Sequence, residues 1–277
     1  MIRDSLREAL GRMRDTPVVW IAGLYLGALF ALDILISVAG DTMLSSRIGF
    51  FGLCALPFFI GGTYGAIKGD NPGLRGYIAA GARYFFRILL AGAIIVAAAL
   101  AIVLLLMIPF TTMGGATEAF LPVAVFGVGI PFTFFTFFFD TAAALEERKV
   151  LDSIRRSVEF VMGSPGRALS FYLVNLAVGI LALFLGVVLW SFTIADRVLP
   201  LIEANQTPFQ NITSAQLMTI IGVPGIEAGA AIGLLIVTLG STLLLSFKAC
   251  FFRRTAIIAP LPPVQGEFDE KGRWYRF

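Results

Sequence analysis

The chain has 277 residues, 58% of them hydrophobic and 14% charged, with a mean hydropathy of +0.88 and a net charge of +3. A soluble domain carries roughly 25% charged residues, so this much apolar surface exceeds a soluble core and the bilayer must solvate much of it. The chain holds no histidine, which removes the commonest general base, proton switch and metal ligand together.

The first 16 residues place Ile2, Leu6, Leu10 and Met13 on one helical face, with Arg3, Arg7, Arg12 and Arg14 around it. An apolar run over 17–38 follows. It is longer than the core of a signal peptide and no small-x-small cleavage site follows it, so it is expected to remain as an anchor. Five more runs reach the roughly 20 residues that 30 Å of hydrocarbon demands: 48–67, 84–108, 119–139, 168–190 and 226–247. The fold class expected is all-α, a polytopic six-span bundle over 17–253 with a tail over 254–277.

Charge placement sets the sides. The N-terminus, the connections 68–87 and 141–167 and the tail from Lys248 hold 19 of the 21 basic residues, leaving Arg47 and Arg197 opposite. The excess of basic residues marks cytoplasmic loops, so both termini are expected in the cytoplasm of a cell-membrane protein. Cys54 and Cys250 then fall in opposite halves of the bilayer, which argues against a disulfide, and no cysteine pair has metal-site spacing.

The connection 146–162 shows helical periodicity. Val150, Leu151, Ile154, Val158, Val161 and Met162 form an apolar face; Glu147, Arg148, Asp152, Arg155, Arg156 and Glu159 fill the rest. Asp152 and Arg156 stand at i,i+4, a supporting pair. This reads as a helix on the inner membrane surface. The stretch 73–87 repeats the idea more weakly. Such segments serve either as interfacial linkers or as a basic surface for anionic lipid or a cytoplasmic partner, with Arg148, Lys149, Arg155 and Arg156 as candidate contacts. Leu56-Pro57-Phe58-Phe59 and Ile130-Pro131-Phe132-Thr133-Phe134, each before such a stretch, raise the question of a parallel internal repeat.

The stretch Glu147-Arg148-Lys149-Val150-Leu151-Asp152-Ser153-Ile154-Arg155-Arg156-Ser157, running on to Gly163 after an aromatic-rich span, resembles the membrane domain fused to some glycerophosphoryl diester phosphodiesterases and related six-span families. In those fusions a separate, histidine-using domain carries the chemistry. The resemblance therefore implies a membrane scaffold or lipid-associated role and transfers no catalytic residue.

Polar residues inside the spans are few. An acid at a helix centre costs about 2.5–3.5 kcal/mol on insertion scales. Asp33 lies about 24 Å along the first span at 1.5 Å per residue, near the outer surface, and Glu227 opens the sixth span on that side. They form either a candidate polar site or groups satisfied locally, Asp33 by a neighbouring helix or by Arg47 or Arg197. Asp140, closing the fourth span, is expected to pair with Arg83 or Arg87. Asn175 is a lone amide. Glycines four residues apart (Gly23 and Gly27, Gly61 and Gly65, then Gly225, Gly229 and Gly233) are expected to mark close helix packing within the bundle. The Phe-rich run 132–139 reads as lipid-facing or packing bulk.

The long outer loop, 191–225, is expected to hold a short helix over 214–222 stopped at Pro224, and two glycosylation sequons at Asn205 and Asn211. In the tail, Pro260-Leu261-Pro262-Pro263 should be extended, and 266–277 suits a small hairpin turning at Glu270-Lys271-Gly272. The function expected is a non-enzymatic scaffold or lipid-associated protein with membrane lipids and another membrane or cytoplasmic protein as partners, no cofactor, no metal and no nucleic acid. The alternative is a small permease using Asp33 and Glu227. An intramembrane enzyme ranks third, since no nucleophile–base set is visible.

Overall fold

A computed structural model describes residues 1–38, 42–69, 73–112, 120, 122–204, 214–258, 266–268 and 274–276. The helices are α1 (Ile2–Asp15), α2 (Trp20–Val38, after a 3-10 turn at Pro17–Val19), α3 (Thr42–Lys68), α4 (Leu74–Thr112), α5 (Ile130–Thr136), α6 (Phe139–Leu145), α7 (Val150–Gly163), α8 (Pro165–Ala204) and α9 (Ser214–Ile258). A π-helical stretch over Val123–Gly129 precedes α5. Among the described residues, six helical stretches are long and apolar enough to cross a membrane: Pro17–Val38, Met43–Lys68, Leu74–Pro109, Phe126–Leu145, Pro165–Leu199 and Ile221–Ala256. The protein is thus an all-α, multi-pass membrane protein.

Local chemistry sets the helix ends. Thr16 is extended (φ −129°, ψ 84°) because Pro17 disfavours a helical residue before it, and α1 stops there. Gly69 ends α3 at φ +104°, left-handed backbone that only glycine takes without strain. Pro165 opens α8, where its missing N–H is harmless. Between 73 and 112 nothing strong enough breaks the helix, so the linker expected at 73–87 is instead the first four turns of α4.

The outer loop is shorter than expected for a similar reason. α8 continues through Arg197 to Ala204, and α9 begins at Ser214. Pro224 does not stop the chain; α9 is kinked at Gly222 (φ 63°). Side chains of α8 reach carbonyls on both sides of that kink. Arg197 Nη1 donates to Ile221 O, and Trp190 Nε1 donates to Gly225 O at 2.9 Å. The sequons and the proline run lie outside the described residues. In the tail, Gly266–Phe268 pairs antiparallel with Trp274–Arg276, Glu267 opposite Tyr275, which is the expected hairpin pairing; its turn lies outside the described residues.

Glycines set the helix contacts. A Cβ at Gly27 would sit 2.5 Å from Leu234 O, and one at Gly23 the same distance from Thr238 O, so α2 lies backbone-close against α9. Gly61 faces Tyr84, and Gly65 faces Ala80, joining α3 to α4. Gly225 packs on Ile194, Gly229 on Trp190 and Gly233 on Phe30. All three glycine sets are internal contacts, as expected.

The main core gathers at one end of the bundle, the end that carries α1, α7 and Arg253–Arg254; we call it the basic end. Phe138, Phe160, Phe171, Phe247, Phe251 and Phe252 are all buried there. Phe171 stacks on Phe251 with centroids 4.0 Å apart, and Phe138 lies 4.7 Å from Phe160. The Phe-rich run therefore divides: Phe138 is core, while Phe135 is exposed. A smaller cluster of Ile194, Ile221 and Ile226 sits at the opposite end. The fifth span is peripheral, with none of its most apolar stretch buried.

The two prospective repeat units differ in build. The second and third spans pack directly on each other as a hairpin. Between the fourth and fifth, α7 intervenes and packs against both α6 and α8.

Candidate functional site

The charged groups at the basic end are organised around four acids, Asp140, Glu146, Glu147 and Glu8. Asp140 lies in the first turn of α6 and Lys248 about two turns before the end of the sixth span, so both project into the aromatic core. Lys248 Nζ stands 2.7 Å from Asp140 Oδ1 and 2.9 Å from Oδ2. Tyr64 donates its hydroxyl to Asp140 Oδ2 at 2.9 Å, and the Thr141 N–H donates to Oδ1 at 2.7 Å. The ammonium also lies 4.3 Å from the centre of the Phe137 ring. Only 7% of the Asp140 side chain and 11% of the Lys248 side chain are exposed. The expected pairing of Asp140 with Arg83 or Arg87 is thus replaced by one with Lys248, which reaches in from the sixth span.

Arg83 and Arg87 go instead to Glu147. Its carboxylate receives Lys68 Nζ at 2.7 Å and Arg83 Nη2 at 2.8 Å, with the Tyr84 hydroxyl at 3.3 Å, while Arg87 Nη1 donates to its carbonyl at 2.9 Å. Glu147 adopts φ 55°, left-handed backbone that a non-glycine residue takes only when its surroundings fix it. Those four donors from α3 and α4 are the fixing groups. The Lys68 hydrogen bond, followed by the charges of Lys68 and Arg83, outweighs partial burial and holds the Glu147 carboxyl below its ordinary 4.5.

The preceding residue does the same for α7. Arg156 grips Glu146 with Nε at 2.9 Å and Nη2 at 2.9 Å, and Arg148 Nε reaches the same carboxylate at 3.2 Å. At the terminal helices, Glu8 of α1 receives both Arg253 and Arg254, the latter at 2.6 Å. Burial pushes the Glu8 carboxyl upward, but the two guanidinium groups more than offset it, and it too lies below 4.5.

The docking of α7 depends on a break in the fourth span. The helix is interrupted at Phe137–Phe138, which frees a backbone donor and an acceptor. Ser157 satisfies both: its Oγ accepts from Phe138 N at 2.9 Å and donates to Phe135 O at 2.8 Å. Consequently Ser153, Arg156, Ser157, Phe160 and Val161 form the buried face of α7, while Leu151 and Met162 are exposed at 67% and 68%.

This corrects one candidate. Arg156 is buried and committed to Glu146, so it does not belong to an exposed basic surface, and the expected pair with Asp152 gives way to it. The i,i+4 pair on α7 is Arg155 with Glu159 at 2.7 Å. Lys149 and Arg155 are exposed, and Arg148 is half-buried.

Asp33 accepts a hydrogen bond from Ser45 of α3, and Ser37 donates to Ser45 at 3.3 Å, so a neighbouring helix satisfies it rather than an arginine. Glu227 is exposed on α9. The structure brings no bond between the two among the described residues. Nor does any group of three or more acidic or cysteine residues there have the geometry to hold a metal. Asn175 Oδ1 is buried with no hydrogen-bond partner among the described residues.

The chain matches the family described as Domain of unknown function (DUF7847) over residues 1–255. It belongs to that family. The match takes in all six spans and the charged network described above, stopping just short of the tail hairpin. No curated protein and no solved structure matches the chain.

Proposed function

We propose that the protein is a non-enzymatic, lipid-associated scaffold of the cell membrane, with the basic end and both termini in the cytoplasm. One observation carries the lipid-associated reading. Around the basic end, exposed apolar side chains alternate with exposed basic ones: Leu10, Leu74, Leu151 and Met162 stand among Arg7, Arg75, Lys149 and Arg155. Apolar groups enter the acyl boundary while basic groups reach anionic headgroups, and that mixture suits the surface of an acidic leaflet. The excess of basic residues at this end supports its cytoplasmic orientation. The likeness of 147–163 to the phosphodiesterase-linked membrane domain agrees with a scaffold role.

The test uses the full chain purified from membranes, with bound lipids and proteins identified by native mass spectrometry. Retention of anionic phospholipid or a protein partner that falls in Lys149→Glu/Arg155→Glu supports the reading. Identical associations in wild type and double variant refute it. Arg156 is left intact, because its loss would strand Glu146 and disturb the fold.

A further inference from the structure

A groove of about 690 Å³ runs between the second and third spans, lined by Phe51, Cys54 and Phe58 of α3 and by Ala82, Phe85 and Phe86 of α4. That volume lies within the roughly 300–1,000 Å³ of small-ligand sites. Its walls are almost wholly apolar, and it opens sideways from the bundle toward what a bilayer would occupy. Phe51, Phe50, Phe86 and Leu90 stand exposed beside it. Toward the basic end the groove is bounded where Gly61 and Gly65 hold α3 and α4 together and Tyr77 donates to Phe59 O at 2.9 Å.

The helix register supplies a charged end to this groove. At 100° per residue, Arg75, Ala79, Ala82 and Phe86 fall on one stripe of α4. All four are exposed. Arg75 lies about 10 Å along the axis from Ala82, toward the basic end. Arg83 and Arg87 lie about 80° and 120° round the helix from Arg75, on the flank where Glu147 engages them. Arg75 is therefore the cation that a molecule in the groove would meet at the interface.

We propose that this groove binds one acyl chain of an anionic phospholipid, with Arg75 contacting its phosphate. The proposal rests on the lipid-associated reading and deepens it, naming a discrete site where that reading requires only a surface. A long apolar slot ending at an interfacial guanidinium matches a chain joined to a phosphate.

The test places a reporter in the groove by Phe86→Trp, at a position exposed enough to accept the larger ring. The full chain is reconstituted in phosphatidylcholine vesicles containing, at equal mole fraction, either phosphatidylglycerol or phosphatidylcholine brominated on its acyl chains. Fluorescence quenching is measured against a parent carrying only the native tryptophans. Brominated phosphatidylglycerol should show an apparent affinity about fivefold higher, the factor that one interfacial basic residue supplies. Arg75→Glu should abolish the preference and Arg75→Lys should retain it. Equal quenching by the two lipids, or a preference indifferent to Arg75, overturns the proposal. Absence of quenching by either lipid also overturns it. Loss of retained lipid in Lys149→Glu/Arg155→Glu, with no preference at Phe86→Trp, would remove the groove while leaving the broader reading intact.

Discussion

Lys248 and Asp140 show how a charge is tolerated within an apolar bundle. Two charges withdrawn from water are costly, and the loss is recovered only when every lone pair and proton is matched. Here Tyr64, the Thr141 amide and the Phe137 ring complete the set. Asp140→Asn should destabilise the protein by about 3–5 kcal/mol, because it strands a buried ammonium. Asp140→Leu/Lys248→Met should recover most of that loss. Unfolding midpoints of the purified variants in one detergent check both, and equal midpoints for single and double variants would contradict the account. Asp140 was legible from sequence as an anchoring acid at a span end. Its partner was not, because 108 residues separate Asp140 from Lys248 and only helix packing makes them neighbours. Asp33 was legible in the same way: its need for a partner followed from burial cost, while Ser45 became visible only once α2 lay beside α3.

Among the elements, α7 is the one whose existence and orientation came from different sources. Periodicity over 146–162 located a helix, and the structure has one at Val150–Gly163. Periodicity assigned an apolar face that includes Leu151 and Met162 to the membrane surface, and it did not show the second face, Ser153, Arg156, Ser157, Phe160 and Val161, that packs into the bundle. A hydrophobic count cannot see that Phe137–Phe138 will break the fourth span and require Ser157, or that Glu146 will draw in Arg156. The same limit applies to α4, where charge at 73–87 suggested a separate linker although the backbone continues without a break. The glycine spacings, by contrast, read directly as contacts, since close approach depends on side-chain size alone.

The segment before α7 carries a pH prediction. Glu147 and Glu8 have carboxyls held below 4.5 by the cations they bind, so their stabilisation is present above that value and is lost as pH falls through their depressed native values. Thermal midpoints should therefore fall below about pH 4.5, the unperturbed carboxylate range. Glu147→Gln should flatten that decline by removing one of the titrating groups. An unchanged slope would show that Glu147 is not linked to folding. Glu147 escaped sequence reasoning because acids among arginines look like a solvated face; its left-handed backbone is the structural sign of a junction.

For the whole molecule, the basic excess serves two ends. Lys68, Arg83, Arg156, Lys248, Arg253 and Arg254 are drawn into ion pairs with acids of the same chain that clamp the helices at the basic end. Arg7, Arg75, Lys149 and Arg155 remain exposed among apolar side chains. Charge counting placed both groups on one side but could not separate them, since that division depends on which acids face inward. The exposed group is the surface proposed to meet an acidic leaflet. Its most direct test is the unfolding midpoint of the full chain in nanodiscs of phosphatidylcholine alone and of phosphatidylcholine mixed with phosphatidylglycerol, for wild type and Lys149→Glu/Arg155→Glu. The account predicts that the anionic lipid raises the wild-type midpoint and raises that of the double variant by clearly less. A wild-type midpoint unaffected by the anionic lipid would contradict it.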